Sequence, residues 1–101
     1  MLSYDLTDSI AVLQMDDGKA NALGHQMIDE LNEALDRATS DAKAIALFGR
    51  PGKFCAGFDL KHMAKGPNEA IELVKKGGEL LLRIYECPLP VVMGCTGHAL
   101  A

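Results

Sequence analysis

Leu2, Tyr4 and Leu6 alternate with polar neighbours, and Ile10 and Val12 begin a second run that turns continuously apolar near Leu13. A period of two predicts strands, and Thr7-Asp8-Ser9 between them is a turn composition. The pattern therefore predicts a β-hairpin of residues 2–6 with 10–15, closed by Asp16-Asp17-Gly18. From residue 25 to about 39 the period changes. Met27, Ile28, Leu31, Ala34, Leu35 and Ala38 recur at helical spacing, while Asp29, Glu30, Glu33, Asp36 and Arg37 occupy the other face. Those charges read as a solvated surface and not as an acid/base pair. The next run, Ala44-Ile45-Ala46-Leu47-Phe48, lacks polar alternation, as expected of a strand buried on both faces. Strand, helix, strand implies a right-handed crossover, parallel pairing and an α/β fold.

Beyond the turn Gly49-Arg50-Pro51-Gly52, residues 58–64 read as a short helical turn, and Gly66-Pro67 starts a longer helix. Its expected inner face is Ala70, Ile71, Val74, Leu80, Leu81 and Ile84. Gly77-Gly78 lies in mid-helix, where each glycine costs about 1 kcal/mol relative to alanine, and implies a kink or a close-packing point. Cys87-Pro88 ends the helix. Residues 90–95, with Val91-Val92-Met93, predict another buried strand.

The loops narrow the chemistry. Gly49-Arg50-Pro51-Gly52-Lys53 has the wrong spacing for a Walker A loop, and Gly94-Cys95-Thr96-Gly97 is not the dinucleotide fingerprint. Lys53 and Lys61 remain candidates for electrostatic help to an anionic ligand. Cys55, Cys87 and Cys95 lack metal-ligand spacing and read as reduced thiols, with Cys55 a buried small filler; no metal site is expected. His25, at a helix start, has no evident partner. The 101 residues are 49% hydrophobic and 24% charged, with a formal charge of −4, which argues against nucleic acid or an acidic membrane as the main partner. No apolar run approaches the length of a membrane span. The N-terminal residues carry no signal-peptide pattern, so a cytoplasmic location is expected. One stretch stands apart: Phe54-Cys55-Ala56-Gly57-Phe58-Asp59-Leu60 follows the apolar run Ala44–Phe48 across the turn as a loop of small residues and leads into a short helical turn. Its main chain, not a side-chain nucleophile, is the chemical group on offer, because unpaired N–H groups there suit a developing oxyanion.

Gly52-Lys53-Phe54-Cys55-Ala56-Gly57-Phe58-Asp59-Leu60 resembles the first oxyanion segment of the enoyl-CoA hydratase/isomerase (crotonase) family. Lys19-Ala20-Asn21-Ala22-Leu23 and the stretch from Pro90 to Ala101 resemble two further family segments, in the family's order and at about its separations. The resemblance implies the N-terminal part of a crotonase-like (ClpP/crotonase) spiral of repeated β-β-α turns. It implies enzymatic proton chemistry beside an acyl-CoA thioester, with CoA as part of the substrate and no separate cofactor. By the same resemblance, the Ala56 backbone N–H is an oxyanion donor, and Lys19, Ala20, Ala22, Gly57, Phe58, Asp59 and Leu60 contact the CoA portion. Phe58 stands where a small residue is common, which implies a reshaped adenine end of the pocket. His98 matches a position whose family role is packing.

The second oxyanion glycine and the catalytic glutamates of the family fall beyond Ala101. Ala101 itself stands where many hydratases have the first of several glycines. The expectation is a truncated chain that, alone, exposes apolar edges and is inactive, unstable or aggregating, and that when full length forms a homo-oligomer, a trimer or a dimer of trimers. A non-catalytic acyl-CoA-binding or assembly module is the alternative. A ClpP-like serine protease ranks last, because Ser3, Ser9 and Ser40 are badly placed for a nucleophile.

Overall fold

The structure, a computed structural model, describes residues 1–100. The expectations attached to Ala101 lie outside the described residues. The chain opens with β1 (Leu2–Thr7) and β2 (Ile10–Met15), antiparallel in the register Leu2↔Met15 to Thr7↔Ile10. The two residues between them, Asp8 and Ser9, have φ of 50° and 66°. Positive φ at both central positions is the signature of the type I′ turn, whose twist matches that of the flanking strands. The predicted hairpin is present, one residue longer at Thr7.

After a short β3 (Ala22–Leu23) comes α1 (His25–Asp41), and then β4 (Ala44–Phe48), parallel to β2. All six residues of the expected apolar stripe of α1 are buried. The helix runs two residues past the expected end, with the Ala42 N–H bonded to the Ala38 carbonyl. β5 (Gly52–Cys55) and β6 (Gly57–Phe58) follow, then α2 (Leu60–Met63), α3 (Pro67–Tyr85), β7 (Val91–Gly94) and β8 (Gly97–Ala99). The strands form one four-stranded sheet of order β1-β2-β4-β7 and two parallel pairs, β3-β6 and β5-β8. Each pass of the chain thus lays a strand beside that of the previous pass: β2, β4, β7 in one sheet, β3 then β6 in the second, β5 then β8 in the third. This is the expected spiral. β3, β5, β6 and β8 are too short to show as alternation, which is why the sequence left them as loops.

Three burial expectations are corrected. β4 is buried on one face only, by Ile45 and Leu47, while Phe48 is exposed. β7 is an edge strand of the sheet, and Val92 and Met93 are exposed. The inward side chains of β2, β4, α1 and α3 join one core, and no described layer covers the other face of the sheet. In α3 the buried stripe is Leu73, Gly77 and Leu80, with Ile84 half-buried, whereas Ile71, Val74 and Leu81 of the expected inner face are exposed. The helix is apolar on two sides, and periodicity alone could not say which side faces the core.

Gly77 explains the mid-helix glycines. A Cβ there would lie 2.3 Å from Cε1 of Phe58, whereas one on Gly78 would meet nothing within 4 Å. Gly77 is therefore the close-packing point and Gly78 is not. Gly77→Ala should destabilise the fold by about 1–2 kcal/mol through displacement of the Phe58 ring. Gly78→Ala should stabilise it by about 0.5–1 kcal/mol through helix propensity. Denaturant midpoints of the two variants check both signs.

Candidate active site

The site begins where β2 ends. Asp16 and Asp17 fold the loop by accepting backbone hydrogen bonds: Gly18 N–H to Asp16 Oδ1 at 2.9 Å, and Lys19 and Asn21 N–H to Asp17 Oδ1 at 2.7 and 3.0 Å. Asp17 Oδ2 takes the Ala22 N–H at 3.1 Å. Burial works to raise the Asp17 carboxyl, but the N–H groups of Asn21, Lys19 and Ala22, helped by the Arg50 guanidinium, outweigh it and hold the carboxyl below its ordinary value. Arg50 also donates to the Lys19 carbonyl and pairs with Asp16 at 3.4 Å.

Asn21 then joins this loop to the following pass. It is fully buried and left-handed, with φ of 58°. Asparagine tolerates that region better than most residues. Its Nδ2 donates to the carbonyls of Met15 (2.9 Å) and Phe54 (3.1 Å), with Lys53 at 3.3 Å, and its Oδ1 accepts from Asp17 N–H at 3.0 Å. One side chain thereby fixes the Lys19–Leu23 loop against the strand that leads into the Ala56–Leu60 segment. The sequence reading quoted Asn21 within its motif but gave it no role. Its cue was a polar residue with αL tolerance placed between two alanines.

β6 pairs with β3 in the register Ala22↔Gly57 and Leu23↔Phe58. The Ala56 N–H points at the Asn21 carbonyl (3.3 Å), and the Asp59 N–H donates to the Leu23 carbonyl (2.9 Å). The expectation that Ala56 presents a free donor is therefore corrected: its N–H faces β3. In a parallel ladder N–H directions alternate. With Asp59 directed at Leu23, the Phe58 N–H is directed away from β3, on the side where no described strand pairs with β6. Gly57, at φ +92°, makes the turn that permits this.

The remaining expected residues converge. A cleft of about 420 Å³ is lined by Lys19, Ala20, Ala22, Ala56, Phe58, Asp59, Leu60 and Lys61, with Met1 and Asp17 at its margin. Gly57 is buried behind it. Asp59 lines the cleft, but its carboxylate caps α2, accepting from the N–H groups of Lys61 (3.0 Å) and His62 (3.4 Å). The Phe58 ring lies inward against Gly77, where it also borders an apolar cavity of about 250 Å³ with Leu23, Phe54 and Leu80. Phe58 thus shapes the core side of the cleft. A larger hollow of about 490 Å³ between α1 and α3, lined by Leu35, Thr39, Arg83 and Cys87, includes no residue of the Phe54–Leu60 segment.

Cys55 is buried, and burial pushes its thiol up although the Gly57 N–H lies 3.4 Å from Sγ; it is the expected filler. His98, expected to pack, is exposed on β8. His25, expected to lack partners, meets both His62 and Lys76. Among the described residues no group of three or more His, Cys, Asp or Glu side chains is placed to hold a metal, and no helix is long and apolar enough to cross a membrane.

Two outcomes follow from the Asp17–Asn21 loop. Asn21→Ala should cost about 2–3 kcal/mol, because buried carbonyls lose their donor and alanine resists positive φ; denaturant unfolding measures it. A depressed carboxyl contributes stability that is complete above its unfolded value, about 3.9, and is lost as pH falls through the lower folded value. Asp17→Asn should therefore lower the unfolding midpoint at pH 7, and the gap from the parent should close as pH falls below about 4.

The sequence profile described as enoyl-CoA hydratase/isomerase matches residues 5–101. A probable enoyl-CoA hydratase of Rhodobacter capsulatus is 39% identical over 97% of this chain and 39% of its own length; one of Bacillus subtilis is 32% identical over 98% and 40%. Among solved structures, an enoyl-CoA hydratase/isomerase family protein from Pseudomonas syringae superposes with a TM-score of 0.96 at 39% identity. It covers 99% of this chain and 44% of that one. An enoyl-CoA isomerase of Mycobacterium tuberculosis gives 0.92 at 48% identity, with the same two coverages. The chain thus spans about two fifths of the length of its relatives. On the profile match across nearly every residue and the shared spiral of strands, the chain belongs to the enoyl-CoA hydratase/isomerase family.

Proposed function

We propose that this chain supplies the CoA-binding cleft and one oxyanion donor of an enzyme acting on acyl-CoA thioesters, and that the donor is the Phe58 backbone N–H. The observation that carries the reading is the convergence of Lys19, Ala20, Ala22, Ala56, Asp59, Leu60 and Lys61 around a cleft beside an N–H turned away from its own ladder. Loss of an α-proton from a thioester places negative charge on its oxygen. A fixed N–H donor aimed at that oxygen lowers the barrier, and one such donor is worth about 2.7–4 kcal/mol. Lys19 and Lys61 supply positive charge for the phosphates of the CoA arm, while the apolar cavity behind Phe58 suits an acyl chain. Both carboxylates of the cleft are already engaged, Asp17 by three N–H groups and Asp59 as a helix cap. Neither is offered as the proton-transfer group, which fits a catalytic acid or base contributed from outside these two loops.

Hydration and double-bond isomerisation both pass charge to the thioester oxygen, and relatives of comparable likeness carry both names. The reading includes a reducing compartment, supported by three free cysteines, and a homo-oligomer, supported by the apolar surface of Ile71, Val74, Leu82 and Val92. The test is steady-state turnover of 2-enoyl- and 3-enoyl-CoA by the gene product, with calorimetric titration of CoA. One of the two substrates should be consumed, and Lys61→Ala should raise KM roughly tenfold while leaving kcat within about twofold, as loss of a uniform binding contact does. Failure to bind CoA and to turn over either thioester would overturn the reading. Binding without turnover would leave a CoA-binding module.

A further inference from the structure

Outside the cleft, four side chains from three helices meet in a line. His25 Nε2, at the first turn of α1, lies 3.1 Å from His62 Nε2 on α2, and the rings are edge-on at 80° with centroids 4.6 Å apart. On the far side of His25, Lys76 Nζ of α3 lies 3.2 Å from Nδ1, and the same ammonium pairs with Asp29 at 2.6 Å. Both histidines are half-buried. Nothing in the proposed chemistry uses this line.

The donors and acceptors allow one protonation pattern. A lysine ammonium has three donors and no acceptor. His25 Nδ1 must therefore accept, which leaves the proton of a neutral His25 on Nε2. That Nε2–H then donates to His62 Nε2, so a neutral His62 carries its proton on Nδ1. Adding a proton to His62 at Nε2 sets N–H against N–H across 3.1 Å. The alternative is for His25 to move its own proton to Nδ1, which sets N–H against the Lys76 ammonium. Lys76, held by Asp29, thus fixes the tautomer of His25 and through it the charge state that His62 can adopt.

We propose that Lys76, His25 and His62 form a tautomer-locked clamp that holds α2 against α1 and α3 only while both imidazoles are neutral. His25 and His62 are then positioning residues for the cleft. α2 has four residues and is too short to hold itself. Its start is Leu60-Lys61 in the cleft wall, and it directly follows Phe58 and Asp59. The other charged groups around the contact are Asp59, whose carboxylate lies against Gly24 immediately before His25, and Lys61, next to His62 on α2. On α3, Glu72 and Glu79 lie one turn to either side of Lys76. Asp59 is engaged by two N–H groups and cannot replace the imidazole contact. Because release accompanies proton uptake, the clamp is engaged at the alkaline end and loosens on acidification.

The clamp itself is independent of what the cleft binds; its effect on CoA rests on the functional reading above. The experiment follows the 15N-labelled gene product by NMR from pH 8 to pH 5.5. At pH 8, long-range nitrogen–proton spectra should show His25 as the Nε2–H tautomer and His62 as the Nδ1–H tautomer. On acidification, exchange of the Met63 and Ala64 amides, which bond the Asp59 and Leu60 carbonyls, should rise about tenfold beyond the intrinsic pH effect. In Lys76→Gln, where His25 is free to change tautomer, that rise should fall below about twofold. The Nδ1–H tautomer on His25 at pH 8, or α2 exchange insensitive to pH in the parent, would overturn the clamp. Calorimetric titration with CoA over the same range should show affinity falling more steeply in the parent than in Lys76→Gln. If CoA binds at no pH, the functional reading fails while the exchange data still decide the clamp.

Discussion

The Asn21 amide is the interaction on which the arrangement of this site depends. A buried polar side chain is costly unless its hydrogen-bonding groups are paired, and here the pairing spans two passes of the spiral. Its nitrogen holds carbonyls at the end of β2 and along β5, while its oxygen holds the N–H of Asp17. The backbone carbonyl of the same residue receives the Ala56 N–H. Side chain and main chain of Asn21 thus set the height of β6 relative to β3. That height decides which N–H groups of the Ala56–Asp59 segment are consumed by the ladder and which is left over.

The leftover donor is a consequence of ladder parity. Ala56 lies at the centre of the small-residue motif, and from the sequence it is the natural candidate for a free N–H. The parallel pairing of β6 with β3 directs the Asp59 N–H inward and the Phe58 N–H outward, while Ala56, on the near side of the Gly57 turn, is separately taken up by the Asn21 carbonyl. A one-residue change of register would exchange those roles. Which main-chain donors of this segment stay free is therefore a property of strand pairing, with side chains that permit it: Gly57 for its positive φ, and Ala56 for its small size beside the cleft.

Phe58 connects the site to the core. Its ring fills the space left by Gly77 on α3, so the segment carrying the outward N–H is anchored by an aromatic side chain in the apolar cluster. α2, which follows directly, has no fully buried residue and reaches the core only through the half-buried Met63. The Asp59 cap and the His25–His62 contact add the polar ties that hold it. Apolar packing holds the Phe58 side of the cleft, and polar contacts tie the α2 side to α1.

Much of this was legible in the sequence by itself. The hairpin, the full buried stripe of α1, the β2-α1-β4 parallel unit, the start of α3 at Pro67 and the family all follow from periodicity, turn chemistry and the order of three motifs. These features are local, or repeat at a period that one stretch of chain can display. Only the tertiary structure decided the rest. It showed which apolar side of α3 faces the core, that β4 and β7 are covered on one face or exposed at an edge, and that four strands of two to four residues form two separate parallel pairs. It also gave Asn21 its role, turned the Ala56 N–H toward the Asn21 carbonyl, and brought His25, His62 and Lys76 together from residues 37 and 51 positions apart. The physical reason is the same in each case: the partner that settles the matter lies on another pass of the spiral, and a linear pattern carries no signal of what is packed against it.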